Sequence, residues 1–180
     1  MKKFYYILLK IFGVMLLFTS CLMAKNIEDA KPLGFELGKT TFEEFKAKYP
    51  RSKETGFGTY TKGPIYDVSP NLLPLEHVEK ARFFFNHKNK LALVILEFEA
   101  WRFNNLKRTL SERYVLIKEE GMDVPVLGNV GQQLSQYSQG NIEISLSLEN
   151  NRSNCKLQYS MIKDPDHERQ LTASEQKELL

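Results

Sequence analysis

The residue types that bind metals or perform catalysis are few in this 180-residue chain and lie far apart. The three histidines are His77, His87 and His167, and none lies three or four positions from another histidine or a cysteine. Zinc sites commonly use such short spacings, so a metal site here would need ligands that converge from distant segments. We therefore predict surface histidines, no metal site and no bound cofactor.

Cys155 and two glutamates have side chains that could take part in catalysis. Cys155 could form a nucleophile pair with a distant histidine, but it leads into a predicted strand, where cysteine usually acts as a small, inert hydrophobic residue. Glu97 and Glu99 would lie about 7 Å apart on one strand face, a spacing that glycosidases use. Solvated charges are the commoner role of such a pair. No catalytic residue is predicted. The alternative hypothesis is a small hydrolase whose active site is assembled from residues that are distant in sequence.

Trp101 and Arg102 are the first candidate binding residues. They lie within residues 100–103, between a predicted strand and a predicted helix. Tryptophan and arginine are enriched in the hot spots of protein interfaces. The other interpretation is that Trp101 covers the core between sheet and helix, where a large ring buries much apolar area.

An aromatic segment, residues 57–75, is the second candidate surface. It contains Phe57, Tyr60 and Tyr66, interrupted by glycines and prolines. Long irregular segments are often functional, and a loop that merely covers the core is the equally weighted alternative. An exposed strand edge could also accept a partner's strand.

Two helices position these residues. Thr41 precedes Glu44 by three positions, as Thr40 precedes Glu43, which is the spacing of a capping box, and Pro50 ends that helix. The second helix is predicted to be capped by Asn104 or Asn105 and to end near Gly121. Its apolar stripe has helical spacing and consists of Leu106, Leu110, Tyr114 and Ile117.

Strands account for most of the remaining pattern. Residues 78–86 and 91–99 are rich in β-formers and are joined by four residues, which predicts a hairpin. Later segments alternate apolar and polar side chains, as in a sheet with one face on the core and the other in water. These segments are residues 133–138, 142–148 and 156–161, and short strands are also predicted around residues 59–61 and 65–68.

Residues 1–24 are predicted to be an export signal. Lys2 and Lys3 precede an apolar run, residues 11–18, of the length that signal peptides use. A permanent membrane anchor over residues 4–24 is the alternative. Two cleavage points remain open: after Ala24, or before Cys21, because residues 18–21 resemble a lipobox in which this cysteine becomes acylated.

Charge and cysteine content narrow the function classes. The chain has 25 basic and 22 acidic residues, and without Lys2, Lys3 and Lys10 of the leader the count is 22 against 22. This balance predicts no nucleic-acid partner. Removal of Cys21 with the leader leaves Cys155 with no disulfide partner, so the core alone must stabilise the domain.

The start of the predicted domain, Gly-Phe-Glu-Leu-Gly-Lys-Thr-Thr-Phe-Glu-Glu-Phe at residues 34–45, resembles that of two groups of small secreted bacterial domains. These are the outer-membrane-assembly lipoproteins of the SmpA type and the beta-lactamase inhibitor proteins. The match covers about a dozen residues; Lys39 stands where those domains often have methionine, and residues 56–74 have no counterpart. The resemblance implies helices packed on an antiparallel sheet and the binding of proteins in the cell envelope.

The sequence therefore predicts an α+β fold over residues 33–163, with two main helices packed on one face of an antiparallel sheet of five or more strands. Residues 25–32 would be a linker, and residues 164–180 a polar, partly helical tail. The leading hypothesis is an exported, non-enzymatic periplasmic protein that binds an envelope protein or another envelope component. Contact with a membrane would be made only through the leader or a lipid on Cys21.

Overall fold

In the computed structural model, which describes residues 28–121, 133–148 and 153–162, the described residues form an eight-stranded antiparallel sheet and two α-helices. The predicted α+β class and antiparallel sheet are confirmed. The leader with Cys21, His167 and the predicted C-terminal tail lie outside the described residues. Within them, neither helix is long and apolar enough to cross a membrane.

Helix α1 (Phe42–Lys48) forms where its capping residues predict it. The Thr41 hydroxyl accepts a hydrogen bond from the Glu44 amide at 3.2 Å, and the Thr41 amide donates to Oε2 of Glu44 at 2.7 Å. Both hydrogen bonds satisfy amides that a helix start leaves unpaired. The helix ends at Lys48, and Tyr49 and Pro50 follow it.

Each helix is followed by four strands. After α1 come β1 (Lys53–Gly58), β2 (Gly63–Val68), β3 (Val78–Phe85) and β4 (Leu91–Glu99). After helix α2 (Phe103–Arg113) come β5 (Val115–Glu120), β6 (Gln133–Gln139), β7 (Ile142–Leu148) and β8 (Asn154–Met161). The sheet order is β1-β2-β3-β4-β8-β7-β6-β5, so the last strand of each half meets the other at the centre.

From either edge to the centre the order runs through the four consecutive strands of one half, so the described fold repeats the arrangement of one helix followed by four antiparallel strands. Neighbouring strands within each half are consecutive in the chain, so short turns set most of the pairing. Only the central pair, β4 with β8, joins segments that are far apart in sequence, in a continuous register from Leu93 opposite Ser160 to Glu99 opposite Asn154.

The core lies on one face of the sheet. One row of directly opposed residues crosses five strands and is fully or nearly buried throughout, and it consists of Phe83, Val94, Tyr159, Ile144 and Tyr137. At one end of this row the Phe45 ring of α1 lies 4.9 Å from the Phe83 ring. At the other end the Tyr137 hydroxyl donates to the backbone oxygen of Lys107 in α2 at 3.2 Å.

Three predicted elements are wrong. Helix α2 ends at Arg113, and Ile117, which was predicted to continue its stripe, lies in β5. Residues 59–61 form the turn between β1 and β2, because Gly58 and Gly63 pair across it. Helix α2 is preceded by a 3₁₀ turn, Ala100–Arg102, and no side chain caps its first turn. Neither Asn104 nor Asn105 is therefore the capping residue.

Residues 28–32, predicted as part of a linker, contact the turn between β6 and β7. The Ala30 amide donates to the Gln139 oxygen at 3.4 Å, and Oδ1 of Asp29 accepts from the Asn141 amide at 2.7 Å. The chain then forms a 3₁₀ turn at Pro32–Gly34, in which Leu33 has a φ of 53°. This lead-in therefore connects the second half of the sheet to α1 of the first half.

Candidate functional site

The structure brings no metal-ligand cluster together within the described residues: no group of three or more His, Cys, Asp or Glu side chains converges there. His77 packs its ring edge-on against Trp101, with centroids 5.0 Å apart. His87 is exposed in the turn between β3 and β4. Both described histidines therefore lie at the surface.

Cys155 is unsuited to nucleophilic chemistry. Its side chain is fully buried, and its Sγ donates to the Glu99 backbone oxygen at 3.6 Å. Burial raises the pKa of the thiol to about 11, although the positive charge of Arg102 acts in the opposite direction. Because the thiolate is the reactive form, the cysteine stays unreactive at neutral pH.

The two strand glutamates are engaged in structural contacts. Oε1 of Glu97 lies 2.9 Å from a terminal nitrogen of Arg82 on β3. Glu99 accepts a hydrogen bond from the Trp101 indole nitrogen. Each carboxylate thus has a neighbouring donor of its own, and the arrangement favours the solvated-charge interpretation over an acid and base pair.

The aromatic segment separates into one buried ring and two exposed rings. Phe57 and Tyr60 are both exposed at the turn between β1 and β2. Tyr66 is buried instead: its ring lies 4.9 Å from that of Phe42, and its hydroxyl donates to Glu54 at 3.0 Å. Tyr66 therefore supports the core and does not belong to the exposed candidate surface.

Trp101 and Arg102 lie at the opposite end of the strands from Phe57. The Trp101 ring is 55% exposed, so it does not cover the core. The Arg102 guanidinium lies 5.3 Å from the ring centroid, a cation–π geometry. Phe57 lies level with the last residues of β3, and Trp101 lies level with the first residues of β3. Along the strand direction, the eight residues of β3 therefore separate the two side chains by roughly 24 Å.

Strand β5 is a candidate site that the sequence did not reveal. It is an edge strand, and all six of its residues are exposed. Its first half is apolar, with Val115, Leu116 and Ile117 exposed by 66%, 46% and 57%. The signal that could have shown it is the pair of β-branched residues, Val115 and Ile117, at the end of a helical pattern.

A cavity of about 390 Å³ is the remaining candidate. Its floor is formed by the two central strands, with Leu96 and Phe98 of β4 and Leu157 and Tyr159 of β8, and α2 forms one wall. Burial raises the pKa of the Tyr159 phenol above its usual value, and the neighbouring Tyr114 raises it further, so the floor is uncharged. The charged lining residues are Lys31, Glu76, Arg102 and Arg113.

No protein-family model matches this chain, and neither does any curated protein or solved structure. The candidates therefore differ only in the geometry described above. Two of them, the β5 edge and the exposed rings, are suited to binding a macromolecule. The third, the cavity, has the size and apolar lining of a small-molecule site.

Proposed function

We propose that this chain is an exported, non-enzymatic protein-binding module, and that an extended segment of an envelope protein pairs with its edge strand β5. The observation that carries the proposal is the exposed apolar half of that strand, Val115 to Ile117. An edge strand presents a row of unpaired backbone donors and acceptors that a partner strand can satisfy. Apolar side chains on the same strand add contact area once water is excluded.

The contrast between the two edges supports the choice of β5. Proteins protect edge strands with charges, bulges and poor strand formers. The opposite edge, β1, follows this rule, because Lys53, Glu54 and Gly56 fill it and its register shifts at a bulge. In β5 the charges begin only at Lys118 and the register shift falls at Ile117, so Val115 and Leu116 form an apolar start that precedes both within the described sheet.

The proposal places the protein outside the cytoplasm because of residues 1–24. Their basic start and apolar run are those of an export signal. Either cleavage after Ala24 frees the domain into the periplasm, or acylation at Cys21 tethers it to a membrane. The mass of the mature N-terminus, measured on protein recovered from cells, separates these two forms, and an uncleaved starting Met1 would contradict both.

We also infer the finer arrangement of the fold, with both helices on the same face of the sheet. Phe83 and Tyr137, which contact α1 and α2 respectively, belong to one row of opposed residues and therefore point to the same side. The other side carries partly exposed side chains, among them the Arg82 and Glu97 ion pair. A partner strand at β5 would extend the sheet without disturbing either side.

Site-specific photo-crosslinking in cells tests the proposal. A photoreactive amino acid at Val115 or Ile117 should yield an adduct with one defined envelope protein, identified by mass spectrometry. The same amino acid at Lys53 or Thr55, on the protected edge β1, is the matched control and should yield no such adduct. Positions at Phe57 and Tyr60 test the second predicted surface independently, because it lies at the far edge.

Charge on the edge provides the complementary test. Val115→Lys combined with Ile117→Lys should abolish the adduct formed from a probe at Glu119, while the exposed location keeps the change in stability within about 0.5 kcal/mol. Equal adducts from both edges would contradict the proposal. An adduct only between two copies of this chain would show self-association in place of partner binding.

A further inference from the structure

The cavity exists because two helices are too narrow to cover eight strands. Seven interstrand spacings make the sheet roughly 34 Å wide, whereas two helices cover only about 20 Å. Helix α1 contacts β3 through Phe45, and α2 contacts β6 and β7. The two central strands are left between them, and the cavity of about 390 Å³ opens above these strands.

The walls that close this gap are apolar. Leu106 and Leu110 of α2 line it on one side, and the segments containing Leu33 and Leu75 line it on the other. A volume near 390 Å³ falls within the range of small-molecule sites, toward its lower end. It suits one acyl chain of medium length better than a lipid with two chains.

The charges at the cavity select the sign of the ligand. Lys31 is already paired, since its Nζ lies 2.9 Å from Oε1 of Glu36. The other charged lining residues are Arg102, Arg113 and Glu76, which together carry one net positive charge. A ligand with a single negative charge would balance this net charge, whereas a doubly charged phosphate would exceed it.

Arg102 is the residue that the negative group would contact. Its Nε is buried and has no hydrogen-bond partner within the described part of the chain. A buried, unsatisfied donor is costly, and an arginine fork satisfies its donors best with a carboxylate. Arg113 is exposed at the far end of α2, about 16 Å along the helix, so its methylene stem could border the other end of the ligand with its charge in water.

We propose that this cavity binds a fatty acid or a similar acyl carboxylate, with its carboxylate on Arg102 and its chain between α2 and the central strands. The site is separate from strand β5, so it does not depend on the proposed protein-binding function. Its natural ligand would be a single-chain amphiphile of the cell envelope.

Trp101 supplies a direct readout, because it is the only tryptophan and its ring stacks on Arg102. Titration of the full chain with dodecanoate should change the Trp101 fluorescence saturably. Affinity should rise about fifteenfold for each two carbons from octanoate to dodecanoate. Dodecanol and a dodecyl trimethylammonium salt, which have the chain without the carboxylate, should bind about tenfold or more weakly than dodecanoate.

Variants locate the site. Arg102→Gln should weaken dodecanoate binding about tenfold or more through loss of the charge-assisted hydrogen bonds. Thr109 lines the cavity, so the larger side chain of Thr109→Phe should fill part of it and also weaken binding. Arg108→Gln, an exposed arginine on the same helix that does not line the cavity, is the matched control and should bind like the unchanged chain.

No saturable signal, an equal response to dodecanol, or full binding by Arg102→Gln would overturn the proposal. Binding to the apolar leader would survive both Arg102→Gln and Thr109→Phe, and is thereby distinguished. If Arg102→Gln failed to fold, backbone chemical shifts of the unchanged chain would decide: dodecanoate should shift Leu106 and Tyr159 and leave Lys53 on β1 unmoved.

Discussion

Phe45→Ala should destabilise the protein more than any surface change, because this side chain fixes α1 to the sheet. The ring is fully buried, and five other aromatic rings have centroids between 4.9 and 6.0 Å from its own. These rings are Phe35, Tyr49, Tyr66, Phe83 and Phe85. Helix α1 has only seven residues, too few to be stable without such packing.

The expected loss is about 4 kcal/mol, in the middle of the range for a buried phenylalanine cut to alanine. For a domain of this size, a loss of 1 kcal/mol lowers Tm by about 3 °C, so the variant should melt about 12 °C lower. Thermal unfolding followed by circular dichroism, together with urea titration, measures both quantities.

Phe57→Ala is the matched control, since it removes the same side chain from a position that is 67% exposed. Its stability should stay within about 0.5 kcal/mol of the unchanged chain. Similar losses for the two variants, or a loss below about 1 kcal/mol for Phe45→Ala, would refute the packing of α1 on the sheet.

Three further predictions concern single residues. Thr41→Ala should cost about 1 kcal/mol in urea unfolding by removing the capping hydroxyl, and Thr41→Ser should restore most of it. The Cys155 thiol, whose pKa is raised from 9.0 to about 11, stays protonated in the fold while the unfolded chain ionises. The contribution of this thiol should therefore be full below pH 9 and fall between pH 9 and about 11 by about 2 to 3 kcal/mol. Burial also raises the pKa of the Tyr159 phenol, which adds a loss above pH 10 in both proteins, so the share of Cys155 is the difference between the pH-dependent unfolding of the unchanged chain and of Cys155→Ala. Gly63→Ala should destabilise the chain in thermal unfolding, because its new Cβ would lie 2.3 Å from the Phe85 backbone oxygen, whereas Gly56→Ala, with its nearest atom at 4.0 Å, should not.

The features that the sequence predicted well are local. The α1 cap depends on residues three positions apart, and the β3–β4 hairpin depends on a turn of five residues after Phe85, so neighbouring residues contain the needed information. Strand alternation likewise identified β7 and β8, because each has one face on the core. These are the elements whose local preference and tertiary environment agree.

Strand order and the cavity depend on packing between distant segments. Nothing near Leu96 or Leu157 indicates that β4 and β8 would pair, since that contact joins the ends of two similar halves. The gap above these strands follows from the width of the whole sheet compared with two helices. Arg102 was identified from its residue type, but the cavity that it lines requires the complete fold.

Strand β5 shows why a wrong prediction can point to function. Its Val115, Leu116 and Ile117 continue the apolar spacing of α2, and a short apolar run cannot distinguish helix from strand by periodicity. The chain forms a strand there, yet leaves these side chains in water at an edge of the described sheet. This segment therefore departs from both its local helical pattern and the rule against apolar edges. Such departures concentrate at functional sites, and a partner strand at β5 would resolve both of them at once.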